Sequence, residues 1–74
     1  MFLSDTLIQV AAVGGGLIID LDKDIFLADT LIRIASAANA SGATIVIRNA
    51  DKHLLSDSLI RIGAAGGGRV IFEV

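Results

Sequence analysis

One phrase occurs three times in this chain of 74 residues. The copies are "LSDTLIQVAA" from Leu3, "LADTLIRIAS" from Leu27 and "LSDSLIRIGA" from Leu55. Each copy is followed by a break rich in Gly, Ala or Asn and then by a short apolar run. Such a recurrence is typical of repeat architectures, in which each copy is one small supersecondary unit. The sequence therefore predicts a single domain of three tandem units, 3–26, 27–54 and 55–74.

The apolar residues of each phrase have the spacing of a helix. In every copy three of them fall at positions i, i+3 and i+4, which lines up one stripe on a helical surface. The trios are Leu7, Val10 and Ala11, then Leu31, Ile34 and Ala35, then Leu59, Ile62 and Gly63. Beside the stripe lie Ile8, Ile32 and Ile60, where a neighbouring helix could meet them. The phrases are therefore predicted to be three helices, each with one packed side. The glycine-containing breaks that follow are predicted to end them, at Gly14–Gly16, Asn39–Gly42 and Gly66–Gly68.

Small polar residues at the start of each phrase predict where the helices begin. Ser4 and Ser56 stand where an N-cap belongs, and Asp29 is the candidate in the second copy, where Ala28 replaces the serine. The leucine that opens each phrase is expected to pack as a hydrophobic staple against an isoleucine in its own helix. The expected pairs are Leu3 with Ile8, Leu27 with Ile32 and Leu55 with Ile60.

The apolar runs after the glycine-rich breaks predict three β-strands. They are "LIIDL" (Leu17–Leu21), "IVIRN" (Ile45–Asn49) and "VIFEV" (Val70–Val74), the last aligned by treating Arg69 as an extra loop residue. Strands joined through helices run parallel. If they lie in chain order, all the helices cover one face. We therefore expect an α/β fold with two layers, a three-stranded parallel sheet and helices on one side of it.

The other face of this sheet is the predicted interaction surface. Side chains alternate between the two faces of a strand, which places one apolar and one charged row on the uncovered face. The apolar row is Ile18, Val46 and Ile71, and the charged row is Asp20, Arg48 and Glu73. An apolar row beside alternating charges is typical of an interface. The alternative is a small apolar stripe that a monomer tolerates.

Composition excludes several classes of protein. Without Cys there is no disulfide, thiolate metal site or cysteine nucleophile. The net charge of −2 disfavours nucleic acid, which binds basic patches. Although 54% of the residues are apolar, the longest uncharged stretch, Thr6–Ile19, is shorter than the ~20 residues of a membrane-spanning helix. No signal peptide is recognisable, so we expect a cytoplasmic protein.

The residues at the ends of the strands carry the alternative function. Parallel sheets bind ligands at the carboxyl ends of their strands, and Asp20, Asp22, Arg48 and His53 are predicted to lie near that edge. This placement favours a small ligand- or phosphate-binding protein or a minimal enzyme. The Asp20–Asp24 segment also resembles the opening of an EF-hand loop, but it lacks that motif's Gly and final Glu. Weak cation binding at Asp22 and Asp24 is all that it supports.

The order of short strand, turn and helix resembles that of helix-bearing leucine-rich-repeat solenoids. That family places an Asn in the turn after each strand; Asn49 matches it, whereas Leu21 and Val74 stand at the corresponding positions. The resemblance covers period and element order, and it implies a two-layer α/β array. Such arrays usually need polar terminal units, which this sequence does not show. We therefore expect a non-enzymatic module without cofactor or catalytic residues, which binds further copies through the uncovered sheet face or through an edge strand, or binds another protein. A piece of a longer array and a designed repeat stay open.

Overall fold

The computed structural model describes residues 4–73. Within that range the chain is an α/β protein with four helices and three strands. The elements, in chain order, are α1 (Ser4–Ala12), β1 (Leu17–Asp20), α2 (Ala28–Ser41), β2 (Ile45–Arg48), α3 (Ala50–His53), α4 (Ser56–Gly66) and β3 (Val70–Glu73).

The three strands form one all-parallel sheet in the order β1-β2-β3. Its register places Ile18, Val46 and Ile71 side by side, and Val70 pairs with Ile45 as the extra loop residue Arg69 requires. The next row of the same face consists of Asp20, Arg48 and Glu73. The predicted strand direction and register are therefore confirmed, and the strand order, which the sequence left open, is the order along the chain.

The hydrophobic core lies between the sheet and the helices. Ile45 and Ile47 of the central strand are 0% and 1% exposed, and they belong to the same core cluster as Leu31 and Ile34 of α2, which are equally buried. In the helix layer α2 packs between α1 and α4. Strand residues that point the other way, such as Ile18 and Ile71, are exposed. The helices therefore cover only one face of the sheet, as the sequence predicted.

Glycines end the two longer helices, as predicted. Gly42 and Gly67 have φ angles of 84° and 55°, and each N–H closes the last turn on a carbonyl of its own helix. A glycine adopts this left-handed conformation without the clash that a Cβ would cause. The chain can therefore turn directly from each helix into the strand that follows it.

The predicted helix starts are wrong in two respects. Leu27 and Leu55, in extended conformation, are the residues that precede the first helical turns of α2 and α4, so Asp29 and Ser56 lie inside the helices. Leu27 and Leu55 are also 77% and 79% exposed, which rules out the expected staples. The side chain of a leucine has no oxygen that could cap the helix, and it becomes buried only where another part of the chain packs over it. Ser4 is the first residue of α1, and the staple expected of Leu3 lies outside the described residues.

The strands are shorter than predicted, and one short helix was not predicted. Leu21 and Asn49 follow β1 and β2 instead of belonging to them, and Val74 lies outside the described residues. Asn49 has a φ of 60°, a left-handed conformation that Asn tolerates better than most residues, so β2 stops there and α3 begins. After β1 the chain makes a turn instead. The units thus differ in detail, and their tandem origin stays a prediction.

Candidate functional site

The uncovered face of the sheet exposes large apolar side chains in one row. Ile18 is 63% and Ile71 is 50% exposed, and Val46 between them is half-buried. The register holds these three side chains on adjacent strands, about 4.8 Å apart. We call the face formed by this row and the adjacent charged row the open face.

The charged row of the open face contains one ion pair. Arg48 Nε donates to Glu73 Oε1 at 3.1 Å, with both side chains about half exposed, at 49% and 50%. An exposed pair of this kind contributes only ~0–1 kcal/mol to stability. The predicted attraction between charged residues of neighbouring strands is therefore present between β2 and β3. It fixes the positions of the two charged side chains but adds little to the stability of the fold.

Asp20, the third member of that row, is held by hydrogen bonds at the carboxyl end of β1. Its Oδ1 accepts from Asn49 Nδ2 at 2.8 Å and from the backbone N–H of Asp22 at 3.0 Å. These two donors, the side chain of Asn49 first, hold the pKa of the Asp20 carboxyl below its ordinary value, with Lys23 and Arg48 adding smaller electrostatic contributions. The carboxylate is thus engaged in joining β1 to the turn after β2.

A second carboxylate at the same edge holds the two basic residues of α3. Asp22 Oδ1 lies 2.7 Å from His53 Nε2, and Asp22 Oδ2 lies 3.9 Å from Lys52 Nζ. The structure therefore brings Asp20, Asp22 and His53 to one edge, as predicted. Within residues 4–73 no three acidic or histidine side chains converge in the manner of metal ligands.

The sequence reasoning missed Asn49 and Lys52 as members of this edge. Both lie within the four residues after β2, so their position near the carboxyl ends of the strands was a usable signal. It was missed because a strand was expected to include Asn49 and no helix was expected after it. We call the group of Asp20, Asp22, Asn49, Lys52 and His53 the polar edge.

The two lateral ends of the molecule also expose apolar groups. At one end Ile60 of α4, the helix that precedes β3, is 69% exposed. At the other end a cavity of about 120 Å³ lies beside β1, lined by Leu7, Leu17, Ile18, Ile19, Asp24 and Phe26. Among residues 4–73, both β1 and β3 pair with β2 alone. Each end therefore combines a free strand edge with apolar surface.

Comparison with known proteins gives no match: neither a family model, nor a curated protein, nor a solved structure is similar to this chain. Function must therefore be inferred from the surfaces themselves. In the described part of the chain, no helix has the length and apolar character needed to cross a bilayer.

Proposed function

We propose that this chain is a non-enzymatic assembly module that associates with itself through the open face. The observation that carries the proposal is the exposed apolar row, in which Ile18 and Ile71 flank Val46 across all three strands. A single exposed isoleucine is ordinary on a protein surface, but a continuous row on a flat sheet is a surface that association would bury. A cytoplasmic location belongs to the same proposal.

The charges of the open face favour a second copy as the partner. By the alternation of the strands, Thr44 and Arg69 lie on this face on the other side of the apolar row from Arg48 and Glu73. If two open faces meet about a two-fold axis parallel to the rows, the apolar rows coincide and the strands run antiparallel across the interface. Glu73 then faces Arg69 of the second copy, and this contact occurs twice.

The alternative two-fold arrangement is electrostatically unfavourable. With the strands parallel across the interface, Arg48 would face Arg48 of the second copy, and Asp20 would face Glu73 of the second copy. Like charges placed opposite each other across an interface weaken association. The charge pattern therefore selects the antiparallel arrangement among the two ways of pairing this face with itself.

The size of the open face sets the strength that we expect. Three strands about 4.8 Å apart and four residues long, at ~3.3 Å per residue, cover roughly 14 by 13 Å. That footprint is well below the ~800 Å² that each partner contributes to a standard interface. The association is therefore expected to be weak and to depend on concentration.

A variant of the central strand tests the proposal without touching a strand edge. Val46→Lys places a charge in the middle of the apolar row, so the dimerisation constant should weaken by about tenfold or more. Ser36→Lys, which adds the same charge at an exposed position of α2, is the matched control and should dimerise like the parent. Sedimentation equilibrium up to about 1 mM gives both constants, and circular dichroism checks the folding. A parent that stays monomeric throughout, or a folded Val46→Lys variant that dimerises normally, would contradict the proposal.

The orientation has its own test. Arg69→Glu should weaken dimerisation because it places two carboxylates together, and added salt should partly restore it by screening the repulsion. In the parent, salt should instead weaken the dimer. If Arg69→Glu leaves the dimer unchanged, the strands run parallel across the interface instead, because Arg69 would then face Gly16 of the second copy.

The polar edge supports a second candidate, a small-molecule site at the carboxyl ends of the strands. Its specific support is the 2.7 Å contact between His53 and Asp22, beside the hydrogen-bonded Asp20. A thermal-shift panel of nucleotides, inorganic phosphate and divalent cations tests it directly. A rise in Tm that His53→Ala abolishes would support a site there, whereas no shift with any compound would count against it.

A further inference from the structure

We infer that copies of this chain also stack end to end, with the α4 and β3 end of one copy against the α1 and β1 end of the next. This contact is separate from the open face and does not depend on it. It would repeat between copies the packing that the chain already shows twice within itself, from α1 to α2 and from α2 to α4.

The isoleucine beside each helical stripe shows where a neighbour is missing. Ile8 of α1 and Ile32 of α2 occupy the same place in the repeated phrase, and both are partly buried against the core. Ile60 occupies that place in α4 and is 69% exposed. Because α4 is the last helix of the layer within residues 4–73, the exposure of Ile60 marks a helix-packing surface that nothing in this range covers.

The exposure of the leucine before each helix does not indicate an uncovered helix-packing surface. Leu27 is 77% exposed although a complete helix and strand follow it, and Leu55 at the same place in the next phrase is 79% exposed. The position before each helix is therefore exposed whether or not a neighbour is present. Ile32 and Ile60, in contrast, differ because only one of them has a following helix.

The strands show the same asymmetry between the centre and the ends. Ile45 and Ile47 in β2 are fully buried, whereas Val70 and Phe72, their register partners in β3, are only half-buried. The outer edge of β3 faces away from β2, and a free edge of this kind offers unpaired N–H and C=O groups to another strand. A further parallel strand there would complete the burial of the two residues.

The opposite end of the molecule offers the strand and the space for this contact. Leu17, Ile18 and Ile19 are consecutive in β1 and all line the cavity there, so the cavity lies along a strand edge rather than on one face. Since β2 occupies the inner edge of β1, the cavity lies along the outer one. Leu7 and Phe26 make it apolar, which suits the side chains of a docking β3 and α4.

The polarity of the two edges agrees with this pairing. In an all-parallel sheet the outer edge of the last strand is complementary to the outer edge of the first, as β2 shows by bonding to both strands. Joining β3 to β1 of a second copy therefore continues the sheet without reversing its direction. Different surfaces meet at such a contact, so stacking produces a ring if the rotation closes and a filament if it does not.

Cysteine pairing tests the predicted neighbours, since the native chain has no Cys. Continuing the register places Ile71 of one copy beside Ile18 of the next, with Cα atoms ~4.8 Å apart, which a disulfide can bridge. Two open faces packed against each other lie ~10 Å apart, which is too far. Ile18→Cys and isotope-labelled Ile71→Cys chains are mixed and oxidised with oxidised glutathione, and the disulfide-linked dimers are then weighed by mass spectrometry.

We expect the mixed dimer to predominate over both like-with-like dimers. With Ser36→Cys in place of Ile18→Cys, on the solvent side of the central helix, that excess should disappear. A statistical mixture of all dimers, or no mixed dimer, would overturn the stacking contact.

A charge at the exposed isoleucine provides the second test. Ile60→Glu should remove species larger than the dimer, weakening end-to-end association by about tenfold or more, whereas Leu55→Glu should leave them unchanged. Sedimentation velocity of both variants at increasing concentration gives the size distributions. If Val46→Lys weakens association as expected while the mixed disulfide still forms, both contacts exist separately. If Ile60→Glu leaves the large species intact, or the parent forms none, stacking is excluded whatever the result at Val46.

Discussion

The two faces of the sheet carry the same kinds of side chain in opposite environments. Ile47 on the helix side is 1% exposed, whereas Ile18 and Ile71 on the open face are 63% and 50% exposed. All three sit in strands of the same sheet, within the same register. The difference teaches that β-propensity and hydrophobicity form the strand, while the helix layer alone decides which of its residues stabilise the monomer.

The largest expected effect separates the two faces. Ile47→Ala removes a fully buried side chain and should lower the free energy of unfolding by ~2–5 kcal/mol through lost burial and the cavity left behind. Ile71→Ala should cost only about 0.5 kcal/mol in the monomer, since the side chain is already half in water. Urea unfolding at low protein concentration measures both. Equal losses at the two positions would show that the open face is packed in the monomer too.

The next effect concerns the contact between helix layer and sheet. A Cβ at Gly66 would clash with Val70 Cγ2 and lie 3.6 Å from Ala35 Cβ, so Gly66→Ala should destabilise by about 1 kcal/mol or more despite the better helix propensity of Ala. Gly63→Ala is the matched control, because a Cβ there would lie 3.8 Å from Phe72 Cε2 in ordinary contact. It should stabilise by up to ~1 kcal/mol. Thermal unfolding of both variants gives the sign, and a stabilising Gly66→Ala would mean that Val70 moves freely.

A smaller effect on stability is expected from substitutions of Asn49, at the turn after β2. Asn49→Gly loses the hydrogen bond to Asp20 but keeps the left-handed backbone, whereas Asn49→Ala loses the bond and strains the backbone as well. The alanine variant should therefore be less stable than the glycine variant by about 1 kcal/mol. Denaturant unfolding measures the difference. If the two variants are equally stable, the turn after β2 has relaxed to another conformation.

The smallest effect is the acid sensitivity contributed by Asp20. Its pKa is lowered in the folded protein, mainly by Asn49, so its charged form stabilises the fold above the ordinary pKa near 3.8. That stabilisation is lost as the pH falls from about 3.8 through the lower folded pKa. Asp20→Asn should therefore show a shallower loss of stability between about pH 5 and pH 2 than the parent. An unchanged acid profile would mean that the hydrogen bonds to Asp20 form equally with its neutral form.

Much of the architecture could be read from local patterns. The spacing of apolar residues around Ile34 indicates which side of the helix is packed, and the alternation around Ile47 does the same for the strand. The reason is that side chains recur on one side of a helix about every 3.6 residues and on one side of a strand every two. The glycines at 42 and 67 stopped their helices where the sequence indicated. The open-face rows followed from the same alternation once the strands were aligned.

Other features depended on contacts between elements far apart in the chain. Leu27 and Leu55 stay in water because no element formed by residues 4–73 covers them, which their own phrases could not show. The polar edge forms because Asn49 leaves β2 in a left-handed conformation and thereby brings α3 against the turn after β1.

The sequence by itself determined the alternation of helix and strand, the parallel direction of the strands and the side of each element that is apolar. Those properties follow from spacing along the chain, which reads the same in every copy. Only the tertiary structure decided that Ile32 is covered while Ile60, in the same phrase, is exposed. Burial depends on which neighbour packs against a residue, and identical local sequences at the middle and the end of a layer have different neighbours.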